Sequence, residues 1–184
     1  MSTISRRQLI VQGSAAIAAT ALWLRAARSE PVEVDLALVL AVDVSRSISA
    51  DEHRIQCQGY AAAFRGADVI SAIASGAEAA IAVTLLEWAN TSFGVQAVGW
   101  TIIRDADSTE GFAAAVETIP YRPEKGTSIG GAIIAGTRLL SRMPYLTSRR
   151  VIDVSGDGES LDPELLMAAR QSAITKGITI NGLP

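Results

Sequence analysis

The sequence predicts an α/β fold: a doubly wound, mostly parallel sheet with helices on both faces and one antiparallel edge strand. Three observations predict it. Short continuous apolar runs alternate with helix-like patterns from Val32 onward, and such runs suit strands covered on both faces. The helix-like segments carry capping residues at their starts and Pro or Gly at their ends. Residues 90–94 form a turn-like segment between two strand-like runs, which makes the second of them antiparallel.

The elements follow in order. Residues 36–42 are a continuous apolar run and form the first strand. Ser49 stands three residues before Glu52, a capping-box spacing, and opens a helix to about Arg65. Residues 81–86 and 95–103 are the second and third strands. Asp107 with Glu110 caps a second helix, whose Phe112, Val116 and Ile119 share one face; Pro120 and Pro123 end it. A third helix starts near Ser128, carries Ile129, Ile133, Leu139, Leu140 and Met143, and stops at Pro144. Residues 151–154 are the fourth strand. Asp162 and Pro163 are an N-cap and a first helical residue, and Gly177 closes that helix. Residues 178–183 are the fifth strand, with no following helix to cover it.

Composition agrees with one folded domain. Of 184 residues, 49% are apolar and 19% charged, which excludes a disordered or collagen-like chain. The net charge of −3 hides an asymmetry. Arg6, Arg7, Arg25 and Arg28 precede residue 30 and no acid does; from Glu30 onward 12 Lys and Arg face all 19 Asp and Glu, a balance of −7. An acidic domain suits divalent cations or basic partners and excludes nucleic-acid binding through bulk positive charge. A single cysteine, Cys57, excludes an internal disulfide and a cysteine-based zinc site; within a helix pattern it reads as a buried apolar residue.

Residues 1–29 have the layout of a secretory signal. A charged start precedes a short apolar run at 15–24, and small residues Ala27 and Ser29 precede a cut after Ser29. Paired Arg6 and Arg7 before Leu9 match the twin-arginine type, which exports folded proteins to the periplasm or beyond. The competing reading is an uncleaved anchor, but the run is shorter than the roughly 20 residues a spanning helix needs. Stable membrane insertion is not expected once the leader is removed.

Three loops concentrate oxygen donors. Asp43, Ser45 and Ser47 follow the first strand, Thr127 precedes the third helix, and Asp157 follows the fourth strand. Ligands of open α/β sheets bind outside the carboxyl ends of the strands. With the third strand antiparallel, all three loops arrive at that rim. Two carboxylates and three hydroxyls, without thiolate or imidazole, suit a hard divalent ion: Mg2+ first, Mn2+ or Ca2+ next. Alone, Ser47 or Ser49 reads as a helix cap and Asp157 as a turn former.

In this order Asp43, Ser45, Ser47, Thr127 and Asp157 resemble the metal-ion-dependent adhesion site of von Willebrand factor A domains. Residues 33–184 are similar to a bacterial, exported and functionally uncharacterised branch of that fold. The resemblance implies an exported, non-enzymatic protein-binding domain over residues 30–184. Ser45 and Ser47 would bind the metal directly, Thr127 directly or through water, and Asp43 and Asp157 mostly through water. A partner's Asp or Glu would complete the shell. Such domains usually carry a sixth strand and a last helix, so the resemblance also implies a truncated C-terminus. Arg46 would place a cation beside the site, to pair with a partner's acid or with Asp153.

Other readings compete. A hydrolase would use Asp43, His53 and Ser128 as a triad. A phosphotransferase would use the same rim, although Ser45 stands where a second aspartate is normally needed. A structural domain would keep only a vestigial site. Asp153, within an apolar strand, is a partner for Arg149 or Arg150 or supports the site. Trp88, Phe93, Tyr121 and Arg122 are either partner anchors or core.

Overall fold

The computed structural model describes residues 31–156 and 158–183; the leader and Asp157 lie outside the described residues. The elements are β1 (Leu36–Asp43), α1 (Ala50–Arg65), α2 (Ala67–Ala74), β2 (Ile81–Trp88), β3 (Gly94–Ile103), α3 (Ala106–Glu117), α4 (Ile129–Arg142), β4 (Arg150–Ser155), α5 (Pro163–Thr175) and β5 (Ile178–Leu183). The sheet order is β3-β2-β1-β4-β5. β1 lies between β2 and β4 and is parallel to both, and β5 is parallel to β4. β3 runs antiparallel along β2 at the edge. The predicted α/β class, with its one antiparallel edge strand, is the observed fold.

Successive side chains of β1 point to opposite faces, and each face meets its own helices. Ala37, Val39 and Ala41 pack with Ile133 and Leu140 of α4, Ile152 of β4 and Ala173 of α5. Leu40 and Val42 pack with Cys57 and Phe64 of α1 and Phe112 and Val116 of α3. Phe64 and Phe112 meet edge to face with centroids 4.7 Å apart, an arrangement worth about 1 kcal/mol beyond its buried area.

The capping box of Ser49 and Glu52 forms as the spacing requires. The start of α3 differs from the expectation. Asp105, not Asp107, is the N-cap, and Ser108 returns the bond to the Asp105 backbone N–H. A serine three residues on does the work assigned to Glu110, and Glu110 is engaged elsewhere. It accepts from Arg65, at the end of α1, at 2.6 and 2.7 Å. The eight-residue helix α2 was not expected; no side chain caps it, so no start signal marks it. β2 runs two residues beyond the expected end, taking Glu87 and Trp88 into the sheet.

Gly130 lets α4 approach α5. A Cβ there would stand 2.8 Å from the Leu166 backbone nitrogen, whereas at Gly59 of α1 it would meet nothing within 4 Å. Helix propensity alone favours alanine at either site by about 1 kcal/mol. Gly59→Ala should therefore raise stability by about 1 kcal/mol, while Gly130→Ala should lower it by about 2 kcal/mol through overpacking. Urea titration of both variants measures the contrast, and a stabilised Gly130→Ala would refute the close contact.

Candidate metal-binding rim

The carboxyl end of β1 carries the first loop. Asp43 is fully buried, and its Oδ1 accepts from the Ser45 backbone N–H at 2.7 Å. This folds the chain back so that the Ser45 and Ser47 hydroxyls are hydrogen-bonded at 2.8 Å. Ser45 is buried and Ser47 is exposed. The turn ends where Ser49 caps α1.

The second loop is tied to the first by main-chain bonds. Ser45 and Glu124 form an isolated parallel bridge, and the Glu124 N–H donates to the Val44 carbonyl at 2.8 Å. The Asn90 side-chain amide donates to the Lys125 carbonyl at 2.7 Å. Gly126 turns with φ +87°, a conformation L side chains rarely adopt. The Ser128 N–H then donates to the Ala89 carbonyl at 2.6 Å. Thr127 is thus fixed from both sides and is half-buried. The Ser128 hydroxyl accepts from the Gly131 N–H at 3.1 Å and caps α4.

The third loop closes on both. At Gly156 a Cβ would stand 3.0 Å from Asp43 Oδ2 and 3.1 Å from Trp88 Cζ2. At Gly158 it would stand 3.7 Å from Thr127 Oγ1. The Leu161 N–H donates to the Thr127 carbonyl at 3.0 Å. Gln56 and Tyr60 of α1 donate to the Ser155 hydroxyl at 3.1 and 3.2 Å, fixing the end of β4. Asp43, Ser45, Ser47 and Thr127 therefore occupy adjoining loops on one rim, while Asp157 lies outside the described residues.

Hydroxyls beside a buried carboxylate are a donor set that fits a hard divalent cation. Adjacent ligands of an octahedral Mg2+ ion, at bonds of 2.0–2.1 Å, stand roughly 2.9 Å apart, close to the 2.8 Å between the two serine hydroxyls. Among the described residues no group of three or more His, Cys, Asp or Glu side chains is placed to hold a metal; the oxygens gathered at the rim are mostly hydroxyls.

The proposed hydrolase triad does not assemble. His53 is buried, and its Nε2 stands 3.2 Å from Oε1 of the buried Glu87. Its other polar neighbour is the Cys57 sulfur at 3.9 Å, and the Ser128 hydroxyl is spent on its cap. Burial, then the Glu87 charge, pushes the Cys57 thiol up to about 11, far from a reactive thiolate. Asp153 accepts from Asn181 at 2.6 Å rather than from an arginine, and Arg150 donates to the Lys176 carbonyl. Trp88 is core, 1% exposed. Phe93 is half-buried, and half-buried Tyr121 donates to the Ile48 carbonyl at 2.7 Å, leaving Arg122 the exposed member of that set. The His53–Glu87 pair was not anticipated, although Glu87 is the one charged residue in the strand Ile81–Trp88.

Solved structures share this architecture. Proximal thread matrix protein 1 of the mussel byssus superposes with a TM-score of 0.62 at 13% identity, over 84% of this chain and 38% of that one. A second structure of the mussel protein, with a zinc-occupied MIDAS (metal-ion-dependent adhesion site) motif, gives 0.60 at 12%, over 84% and 39%. A von Willebrand factor type A structure from Catenulispora acidiphila gives 0.54 at 18%, over 81% and 33%. The chain thus spans less than two fifths of each of these proteins, and the likeness shows a von Willebrand factor A-like fold. No curated protein matches the sequence. The model of one family, described as "Protein of unknown function (DUF1194)", matches residues 33–184.

Burial raises the Glu87 carboxyl above its ordinary value, and His53, then Arg122, pull it back. Without His53 the folded-state value rises further. The folded protein then holds the proton where the unfolded chain has released it, so stability falls as pH rises. His53→Ala should lose stability at every pH through the cavity it leaves, and should lose about 3 kcal/mol more near neutrality than at mildly acidic pH. Denaturant titrations at both pH values test this; an equal loss at each would mean lost packing alone.

Proposed function

The chain belongs to the DUF1194 family of proteins of unknown function, and we propose that it is an exported, divalent-metal-dependent protein-binding domain. The carrying observation is the pair of serine hydroxyls at 2.8 Å beside a fully buried carboxylate. We assign Ser45 and Ser47 as direct ligands, Thr127 as direct or water-linked, and Asp43 and Asp157 as water-linked carboxylates. When bound, the ion supplies a Lewis-acid position that a partner's Asp or Glu fills. Mg2+ is the favoured ion, with Mn2+ and Ca2+ as alternatives; the zinc in the mussel protein's site supports divalent binding by this fold.

Burial and capping commit His53, Cys57 and Ser128 to structure, which favours recognition over turnover. The leader at 1–29 supports periplasmic or secreted placement. Among the described residues no helix is long and apolar enough to cross a membrane.

An ion at about one hundred times its Kd stabilises the folded state by about 2.7 kcal/mol, or roughly 5–10 °C in Tm for a chain of this size. Mg2+ or Mn2+ should raise the wild-type Tm by that amount and leave Asp43→Ala and the milder, exposed Ser47→Ala unchanged. An equal rise in Ser47→Ala would remove these loops as the site. Pull-down from a periplasmic extract with the full chain should recover a partner in Mg2+ and release it in EDTA; recovery indifferent to EDTA would end the adhesion reading.

Replacing Arg6 and Arg7 with lysine should hold the precursor in the cytoplasm, as cell fractionation would show. Undiminished export would exclude the twin-arginine route.

A further inference from the structure

α4 and α5 both start at the rim, and a groove of about 290 Å³ opens between their carboxyl-terminal halves. One wall is Ile134, Thr137, Arg138 and Ser141 of α4, which fall on one helix face. The other carries Ser172 of α5 and Lys176 just beyond its end.

The polar groups of this groove are donors in want of an acceptor. Thr137 is 9% exposed, yet its hydroxyl forms no hydrogen bond among the described residues. Thr109 and Thr175 return theirs to a carbonyl four residues back; Thr137 does not. Arg138 and Lys176 form none of the ion pairs found among the described residues. Ser141 is spent, donating to the Arg138 carbonyl at 2.8 Å. No acid lines the groove. In a chain with 19 Asp and Glu, α4 holds none, and the single acid of α5, Glu164, stands in the first turn, about 18 Å along the helix from Lys176.

Helix carboxyl ends disfavour anions through their free carbonyls. Here those carbonyls are occupied. At the end of α5, Gln171, Ala173, Ile174 and Lys176 accept from Thr175, Lys176, Gly177 and Arg150 in turn, and Arg142 stands in the last turn of α4. Two cations and a hydroxyl suit the several oxygens of a phosphate. Neither helix carries an aromatic residue on which a nucleotide base could stack. Ile134 in the wall, and Met167 and Ile174 on α5, are exposed aliphatic side chains instead. Cations mixed with aliphatic side chains on a helix surface are the pattern that meets anionic lipid.

We propose that this groove binds the phosphate of an anionic phospholipid, held by the Thr137 hydroxyl, Arg138 and Lys176, with the acyl part against Ile134 and the exposed aliphatic side chains of α5. The site lies at the far end of these helices from the metal rim and needs no ion.

Dihexanoyl phosphatidylglycerol, kept below its micelle-forming concentration, is the probe; dihexanoyl phosphatidylcholine is the counterpart whose choline cancels the charge. In 15N-labelled full-length protein the anionic lipid should shift the Thr137 and Arg138 amide resonances saturably, and EDTA should not alter the titration. Thr137→Val, which keeps the shape and removes the hydroxyl, should weaken binding at least threefold. The exposed pair Arg138→Gln and Lys176→Gln should together weaken it at least tenfold, whereas Arg142→Gln, outside the groove, should bind as wild type does. The proposal is overturned by resonances that do not move at millimolar lipid, by equal affinity for the phosphatidylcholine, or by full affinity in either groove variant. A loss in Arg142→Gln equal to that in the groove pair would also overturn it, as general attraction to a basic face. Inorganic phosphate binding as tightly as the lipid would make the ligand a free anion and overturn the lipid assignment. Because the Mg2+ melting experiment reads the rim alone, either site can fail without the other.

Discussion

A carboxylate with no solvent exposure, at the end of the central strand, is the constraint around which the rim is built. Asp43 is as buried as Ala41 two residues before it. Buried charge is tolerated only where donors or counter-ions surround it. The chain therefore turns sharply to bring the Ser45 N–H onto Oδ1. The loop after β4 presents glycine where any side chain would strike the carboxylate. Trp88, level with Asp43 on the neighbouring strand, extends its ring as far as Gly156. One residue thus sets the shape of two loops and the position of the largest core side chain.

A second buried carboxylate is handled differently. Glu87 sits one strand away and is hydrogen-bonded to a histidine rather than presented to the rim. The two acids share burial but not surroundings. Asp43 lies among hydroxyls and backbone donors, a setting that suits water and cations. Glu87 lies against an imidazole and a thiol, a setting that suits a closed structural contact.

Most of the fold was legible because its signals are local. Strands β1, β2 and β4 are apolar runs, and Ser49 and Ser128 mark helix starts by side-chain chemistry that acts within three residues. The start of α3 was misread because Asp105 and Asp107 both fit an N-cap and only packing chose between them. Helix α2 was missed because it lacks a cap and derives its stability from tertiary contact. That the loops of Asp43, Ser45, Ser47 and Thr127 adjoin was readable from residue order and strand direction. The rim's supports were not, since the Glu124–Val44, Ser128–Ala89 and Leu161–Thr127 bonds are main-chain contacts between distant segments.

Those main-chain ties have an evolutionary meaning. A loop whose path is written in amide hydrogens and carbonyls keeps its course when its side chains change. Thr127 can be replaced by another donor without undoing the scaffold that displays it. The chemistry that the rim displays can therefore change one codon at a time on an unchanged frame.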